Sequence, residues 1–227
     1  MTRVATQGLT AVAGSELELE RLVLEPGAAH TLGTERADRL LYVTTGGGAL
    51  ALDGQSACRP GTAVLVSAGE QLALTAGPGG LQGDLFSVGP ECDLHAPMGQ
   101  RQTLVDTDHA DHRAATGKRS FQILFDGTNG SARATLFVGH IPPGAAPWHY
   151  HLYDEIVCVL AGSGRLHLGD EREPLAAGSA FRLSPRELHI VENTSGDAPL
   201  VVLGLFTPAG SPSAAYLPGG VARYAEP

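Results

Sequence analysis

An all-β architecture in two similar halves is what this sequence predicts, on three observations. The 227 residues include 30 glycines and 15 prolines while 43% are hydrophobic. Many short strands joined by tight turns need that mixture, and the apolar fraction is ample for a core. Short apolar runs of strand length recur, as in Phe121-Gln-Ile-Leu-Phe125 and Ile156-Val-Cys-Val-Leu160. The chain also repeats itself. Glu25-Pro-Gly27 stands 117 residues before Pro142-Pro-Gly144, and Gly46-Gly-Gly-Ala-Leu-Ala-Leu stands 116 before Gly162-Ser-Gly-Arg-Leu-His-Leu. Pro60-Gly61-Thr-Ala-Val-Leu-Val lies 117 before Ala177-Gly178-Ser-Ala-Phe-Arg-Leu, and Leu85-Phe86 pairs with Leu205-Phe206 at a similar offset. A shared skeleton of strands and glycine turns in each half follows.

Composition excludes several classes. A formal charge of −9 argues against nucleic acid, whose phosphates require a concentrated basic surface. No apolar segment approaches the ~20 residues that span a bilayer. The opening residues Met-Thr-Arg-Val-Ala-Thr-Gln lack a basic stretch followed by an apolar run. Cys58, Cys92 and Cys158 leave one cysteine over in any disulfide scheme, which suits a reducing compartment. A soluble, cytoplasmic protein is expected, with no nucleic-acid or membrane partner and with room for a homodimer.

The residues richest in chemistry are His149, His151 and Glu155. Spaced by two and four, their side chains would share one face of an extended strand. Two imidazoles and a carboxylate there make a divalent-metal site, and His189 is a plausible fourth ligand from a later segment. Such a nitrogen and oxygen set suits Fe, Mn, Ni, Cu or Zn rather than Mg or Ca. Histidine pairs on strands are commonly only surface groups. Here the run continues into Ile156–Leu160, so the same face becomes buried at Val157 and Val159, where an unpaired charge is costly. Cys158, out of phase with Glu155, is expected to pack behind that wall.

The spacing Gly144-x4-His149-x-His151-x3-Glu155-x6-Gly162 resembles the first motif of the cupin superfamily. Gly178-x10-His189-x3-Asn193 resembles the second. Two details depart: the leading glycine is one residue closer to the first histidine, and Ser184 and Arg186 stand in the proline and glycine slots before His189. The resemblance implies a small antiparallel barrel with a metal inside its wider mouth, and the repeat makes the chain similar to a bicupin. The expected fold is thus two tandem cupin-type antiparallel β-barrels of the double-stranded β-helix, or jelly-roll, kind. Residues 1–105 would form a degenerate N-terminal barrel, 106–118 a polar connector, and 119–227 the metal-binding barrel. In the first half Arg39 occupies the position of Glu155 and Leu72 that of His189, so one divalent transition metal per chain is expected, iron or manganese foremost, with nickel, copper or zinc as alternatives. Arg39 is expected to pair with Glu35 or Asp38. His109 and His112 in the connector lack a third histidine or cysteine beside them and read as solvated.

Around the metal, Trp148, Val157, Val159, Val191 and Arg182 are expected to line a pocket for a small organic molecule, with Tyr153 and His140 as catalytic candidates. Cupins include dioxygenases, decarboxylases, isomerases, lyases and non-catalytic binders, so the fold alone does not choose a reaction. An oxidoreductase of the dioxygenase type is the leading expectation, because the inferred wall has no free carboxylate to act as a general base. A non-redox decarboxylase, isomerase or lyase is the alternative, and a small-ligand-binding cupin the third.

Overall fold

A computed structural model describes residues 11–13, 16–52, 54–90, 98–115 and 118–215. Its regular structure is almost entirely strand. The first part runs β1 (Ala11–Ala13), β2 (Leu17–Leu24), β3 (Ala29–Leu32), β4 (Asp38–Leu50), β5 (Ser56–Cys58), β6 (Thr62–Val66), β7 (Leu72–Val88) and β8 (Leu104–Asp106). A 3₁₀ turn at Thr107–His109 leads to β9 (His112–Ala114), β10 (Ser120–Phe125), β11 (Thr135–Ile141), β12 (Asp154–Ala161), β13 (Ser163–Leu168), β14 (Glu171–Ala176), β15 (Ala180–Leu183), β16 (His189–Asn193) and β17 (Leu200–Thr207). A second 3₁₀ turn spans Pro212–Ala215. The residues after Ala215, Cys92 and the first ten residues lie outside the described residues. No helix among the described residues is long and apolar enough to cross a membrane.

The repeat read from sequence reappears as strand pairing. One sheet contains the run β2-β7-β4-β6 and another the run β11-β17-β12-β15. In the first half the long strands β4 and β7 continue past these pairings to β5 and β3, whereas in the second half the corresponding small sheet, β14-β13-β16, is separate. The sheets stay open, and the whole is an all-β fold. Register corrects one detail of the repeat. Leu40 pairs with Phe86 and Ile156 with Leu205, so Phe86 corresponds to Leu205, one residue away from the Leu85-Phe86 match read by eye. A slip of one would have turned each side chain to the opposite face.

β12 explains why its sequence shows no alternation: both faces are buried. Glu155, Val157 and Val159 face the interior of the second half, where the two valines pack with Ile141, Leu166, Phe181 and Leu183. Ile156 and Cys158 face the other way, into a cluster shared by the halves, in which Leu17, Leu40, Leu65 and Phe86 meet Leu136, Val138, Leu203 and Leu205. Of the stretch expected to be a connector, Asp106 closes β8 opposite Thr62 of β6, and β9 lies beside β10.

Candidate metal centre

Two non-local bridges build the site. The loop after β11 turns at Gly144, whose φ of 112° is open to glycine, and Gly144 exchanges backbone hydrogen bonds of 2.9 and 3.0 Å with Asn193. The buried Asn193 amide donates to the carbonyls of Ile141 and Ala198, both at 2.8 Å, fastening the two motifs together. Five residues further along the loop, His149 and His189 pair backbone to backbone, with N···O distances of 3.3 and 2.9 Å. Directly opposed antiparallel residues carry their side chains on one face, so the two imidazoles meet, 4.5 Å apart at their centroids.

His151 completes a triad, its ring 4.7 Å from His189 and 5.1 Å from His149. One ligand atom from each of the three lies within 4.8 Å of the others, and all three residues are buried. The fourth predicted ligand, Glu155, is 3% exposed and stands beside the triad, an oxygen 3.0 Å from His151 Nδ1, rather than within the tight group itself. The sequence reading put all three motif-one residues on one strand. In the structure β12 begins only at Asp154, and His149 and His151 sit on extended loop backbone, held by the His189 bridge and by a 2.7 Å bond from Arg186 N to His151 O. The cause is local: Pro142, Pro143 and Pro147 each remove a ladder donor ahead of them.

The turn that delivers His189 accounts for the altered second motif. Pro185 and Arg186 are its central residues, Glu187 N bonds to Ser184 O at 3.1 Å, and Arg186 has φ of 66°. That is a type II turn, which favours glycine at its third residue, the slot where this chain has arginine.

The triad is chemically prepared for a cation. Burial, then the neighbouring His151, pushes His149 down to about 4, and burial followed by the other two imidazoles drives His189 well below the ordinary histidine range. Both rings are therefore neutral near pH 7. Nδ1 of His149 sits 2.9 Å from Pro147 O and Nδ1 of His189 sits 2.8 Å from Glu187 O, so each donates there and keeps its lone pair on Nε2. His151 Nδ1 is buried with no hydrogen bond, since its approach to Glu155 lacks hydrogen-bond alignment. Two donors at right angles about one ion at roughly 2.1 Å would stand about 3 Å apart, as these two atoms do. The residues fit a divalent transition metal.

A cavity of about 120 Å³ opens over the triad. His149, His151, His189 and Glu155 form its polar side, and Phe137, Ile141, Val157, Leu183, Val191 and Val202 form most of its apolar side. Of the residues expected to line a pocket, Val157 and Val191 do so, while Val159, Trp148 and Arg182 fall outside the lining. Val159 is deeper in the interior. Arg182 pairs with Ile156, on the opposite face from Glu155, where its guanidinium grips Asp154 through two bonds of 2.8 and 2.7 Å. Trp148 meets the ring of His167 edge-on at 6.3 Å. Tyr153 is stacked between His151 (4.4 Å) and Phe206 (4.1 Å), behind the triad. His140 does join the cavity lining, and its Nε2 is 3.0 Å from Gln122 Oε1.

Two residues that sequence reasoning passed over belong to this neighbourhood. Arg119 lines the cavity and donates to Val191 O at 3.3 Å; its charge contributes to keeping His149 and His189 unprotonated. Gln122 is 4% exposed and bonded to His140. A polar residue inside the apolar run Phe121–Phe125 was the available signal for the latter; nothing local distinguishes Arg119.

The first half has no comparable centre among its described residues. Leu72 is packed in that half's own core. Arg39 pairs across strands with Glu20 at 3.1 Å and bonds Ser87, not Glu35 or Asp38 as expected. Asp38 is instead buried and accepts from Ala68 N at 2.8 Å.

Residues 137–206 match the Cupin domain family, a stretch that contains both ligand motifs. No curated protein matches the chain in sequence. Solved structures share its fold: a mutant of oxalate decarboxylase from Bacillus subtilis is 16% identical with a TM-score of 0.67, over 92% of this chain and 70% of that one. The oxalate decarboxylase of Lactobacillus farciminis in complex with formate is 14% identical with a TM-score of 0.69, covering 86% and 77%. A Cupin 2 conserved barrel domain protein from Leptotrichia buccalis is 13% identical with a TM-score of 0.62, covering 90% and 89%. A further structure of the Bacillus subtilis enzyme, 16% identical with a TM-score of 0.67 over 86% of this chain and 70% of that one, concerns its Mn(II) centres. At these identities the likeness is one of fold.

Proposed function

We propose that this protein is a metal-dependent enzyme acting on a small organic acid, and that its reaction is a non-redox one of the decarboxylase, lyase or isomerase kind. The carrying observation is that one cavity of about 120 Å³ is lined by three buried imidazoles, a carboxylate, the Arg119 guanidinium and His140. His149, His151, His189 and Glu155 would hold a single divalent metal, manganese or iron foremost. When bound, it would supply Lewis-acid polarisation of a substrate oxygen. Arg119 gives the substrate carboxylate a charge-assisted partner. The apolar wall excludes bulk water and strengthens that pairing. His140 supplies the proton taken up by the carbon that loses CO₂, or removes a proton from one carbon and returns it to another in an isomerisation. Tyr153, stacked on His151, positions that ligand rather than meeting substrate.

The dioxygenase expectation rested on the lack of a general base. His140 in the lining removes that argument. Oxalate decarboxylases, named for a small dicarboxylic acid, share the fold and are consistent with a small organic acid as substrate. The test is to load metal-free protein with Mn, Fe, Co or Zn and assay small mono- and dicarboxylates, without oxygen, for CO₂ release or isomerisation. Turnover is expected under nitrogen. Arg119→Ala should lower kcat/KM by about 10–100-fold, mostly through KM, as expected for loss of one charge-assisted bond. Activity strictly dependent on dioxygen and abolished by Zn would overturn the reaction type, and an unchanged KM in Arg119→Ala would overturn the acid substrate.

A further inference from the structure

We infer that Gln122 is a positioning residue that fixes His140 in one tautomer, and that the first half of the chain holds Gln122 in place. The Gln122 side-chain nitrogen has two N–H donors, and it lies 2.7 Å from Thr107 O and 2.8 Å from Ala110 O. Two carbonyls can only accept, so the amide cannot be turned round, and the atom directed at His140 is Oε1. An amide oxygen also only accepts. His140 Nε2, 3.0 Å away, therefore carries the hydrogen, and Nδ1 is left as the basic nitrogen of the neutral ring.

The carbonyls that clamp Gln122 belong to the turn between the two sheets, and that turn is pinned to the first half. Thr107 donates to Gly61 O twice, from its backbone N at 2.9 Å and from its hydroxyl at 2.8 Å. A chain of bonds thus runs from Gly61 through Thr107 and Gln122 to His140, which lines the metal cavity. Gln122 is 4% exposed, so water has little access to substitute for a lost bond. The second imidazole at this place, His112, has its ring centroid 5.1 Å from that of His140 and lies on the exposed β9. It makes no hydrogen bond to Gln122 and leaves the assignment unchanged.

The functional meaning of this relay rests on the reading of His140 as the proton-handling group, but its test does not. Nitrogen-15 spectra of the metal-free, histidine-labelled protein, with His140→Gln used to assign the signal, report the tautomer directly. The expected result is a His140 ring protonated at Nε2, with Nδ1 showing the shift of a bare nitrogen, and a mixture of tautomers in Gln122→Leu. A wild-type ring protonated at Nδ1, or the same spectrum in a folded Gln122→Leu, would overturn the inference. Should Gln122→Leu not fold, the wild-type spectrum alone decides the tautomer, and Thr107→Val, which removes one of the two bonds to Gly61, tests the link to the first half. That variant is expected to broaden or shift the His140 signals, and unaltered signals would refute the link. If the tautomer is as inferred but His140→Gln keeps full activity, the proposed proton role fails while the relay stands.

Discussion

Gly204 lies where a single added methyl would strain the wall of the metal cavity, and the consequence can be worked from the geometry. It pairs with Phe137 on β11 and with Val157 on β12. A Cβ at Gly204 would sit 2.4 and 2.5 Å from two ring carbons of Phe137 and 3.1 Å from a Glu155 oxygen. Carbon contacts settle near 3.5–4.0 Å, so the ring would have to retreat by about 1 Å. Its escape is limited. Phe206 is edge-on to it at 5.9 Å. Gly204→Ala should therefore cost about 1–3 kcal/mol, the range of overpacked cores, or roughly 2–12 °C in Tm for a chain of this size. Urea denaturation of metal-free protein measures the packing term alone. Phe137→Leu should relieve part of it, giving a coupling of about 1 kcal/mol in a double-mutant cycle. A Gly204→Ala protein within about 0.5 kcal/mol of wild type, or strict additivity with Phe137→Leu, would refute the idea that the aromatic wall relies on this glycine.

Two other outcomes are expected. Metal-free protein titrated with Mn(II) should take up about one ion per chain and, at a hundredfold excess over Kd, gain about 2.7 kcal/mol of stability. The His149→Ala, His151→Ala double variant should show neither effect; a ratio near two in the wild type, or full occupancy in the variant, would count against the site. Arg186→Gly should stabilise the protein by about 0.5–1 kcal/mol, because φ of 66° costs an L-residue more than glycine's added entropy. A fall in the urea midpoint would mean that the arginine side chain contributes more than its backbone conformation costs.

What could be read from sequence here was whatever depends on spacing. The strand-rich class, the repeat and the His149, His151 and His189 cluster follow from distances along the chain that β-pairing preserves. What could not be read depends on which face a residue takes when both are buried. β12 and its partner β15 are largely buried on both sides, so nothing local told which face Arg182 takes, and the arginine proved to lie on the face of Asp154. Arg39 found Glu20 across a sheet rather than a carboxylate nearby in sequence, because cross-strand neighbours are set by register and not by separation. Arg119 and Gln122 reach the cavity region through contacts with Val191 and His140, and long-range pairs of this kind leave no local pattern.

The first half lacks a metal cluster among its described residues, yet its contacts give it a purpose that a mere spacer would not have. Leu17, Leu40, Leu65 and Phe86 cover the back of β12 and β17, the strands that carry Glu155 and Gly204. Polar ties cross the same boundary. Arg21 reaches Gly178 O at 3.0 Å while lying 2.8 Å from the buried Asp84, whose carboxylate is a near neighbour of the Cys158 thiol. Cys158, expected to behave as a small apolar residue, thus has a polar partner supplied by the other half, and burial together with that carboxylate pushes its thiol well up. Arg133 makes the reciprocal link, donating to Gly89 O at 3.1 Å and standing 3.6 Å from Asp38. A buried carboxylate such as Asp84 is costly to maintain and contributes little net stability. The first half thus has a packing role: it fixes the back of the strand that bears Glu155, and through Gly61, Thr107 and Gln122 it reaches His140 on the cavity side.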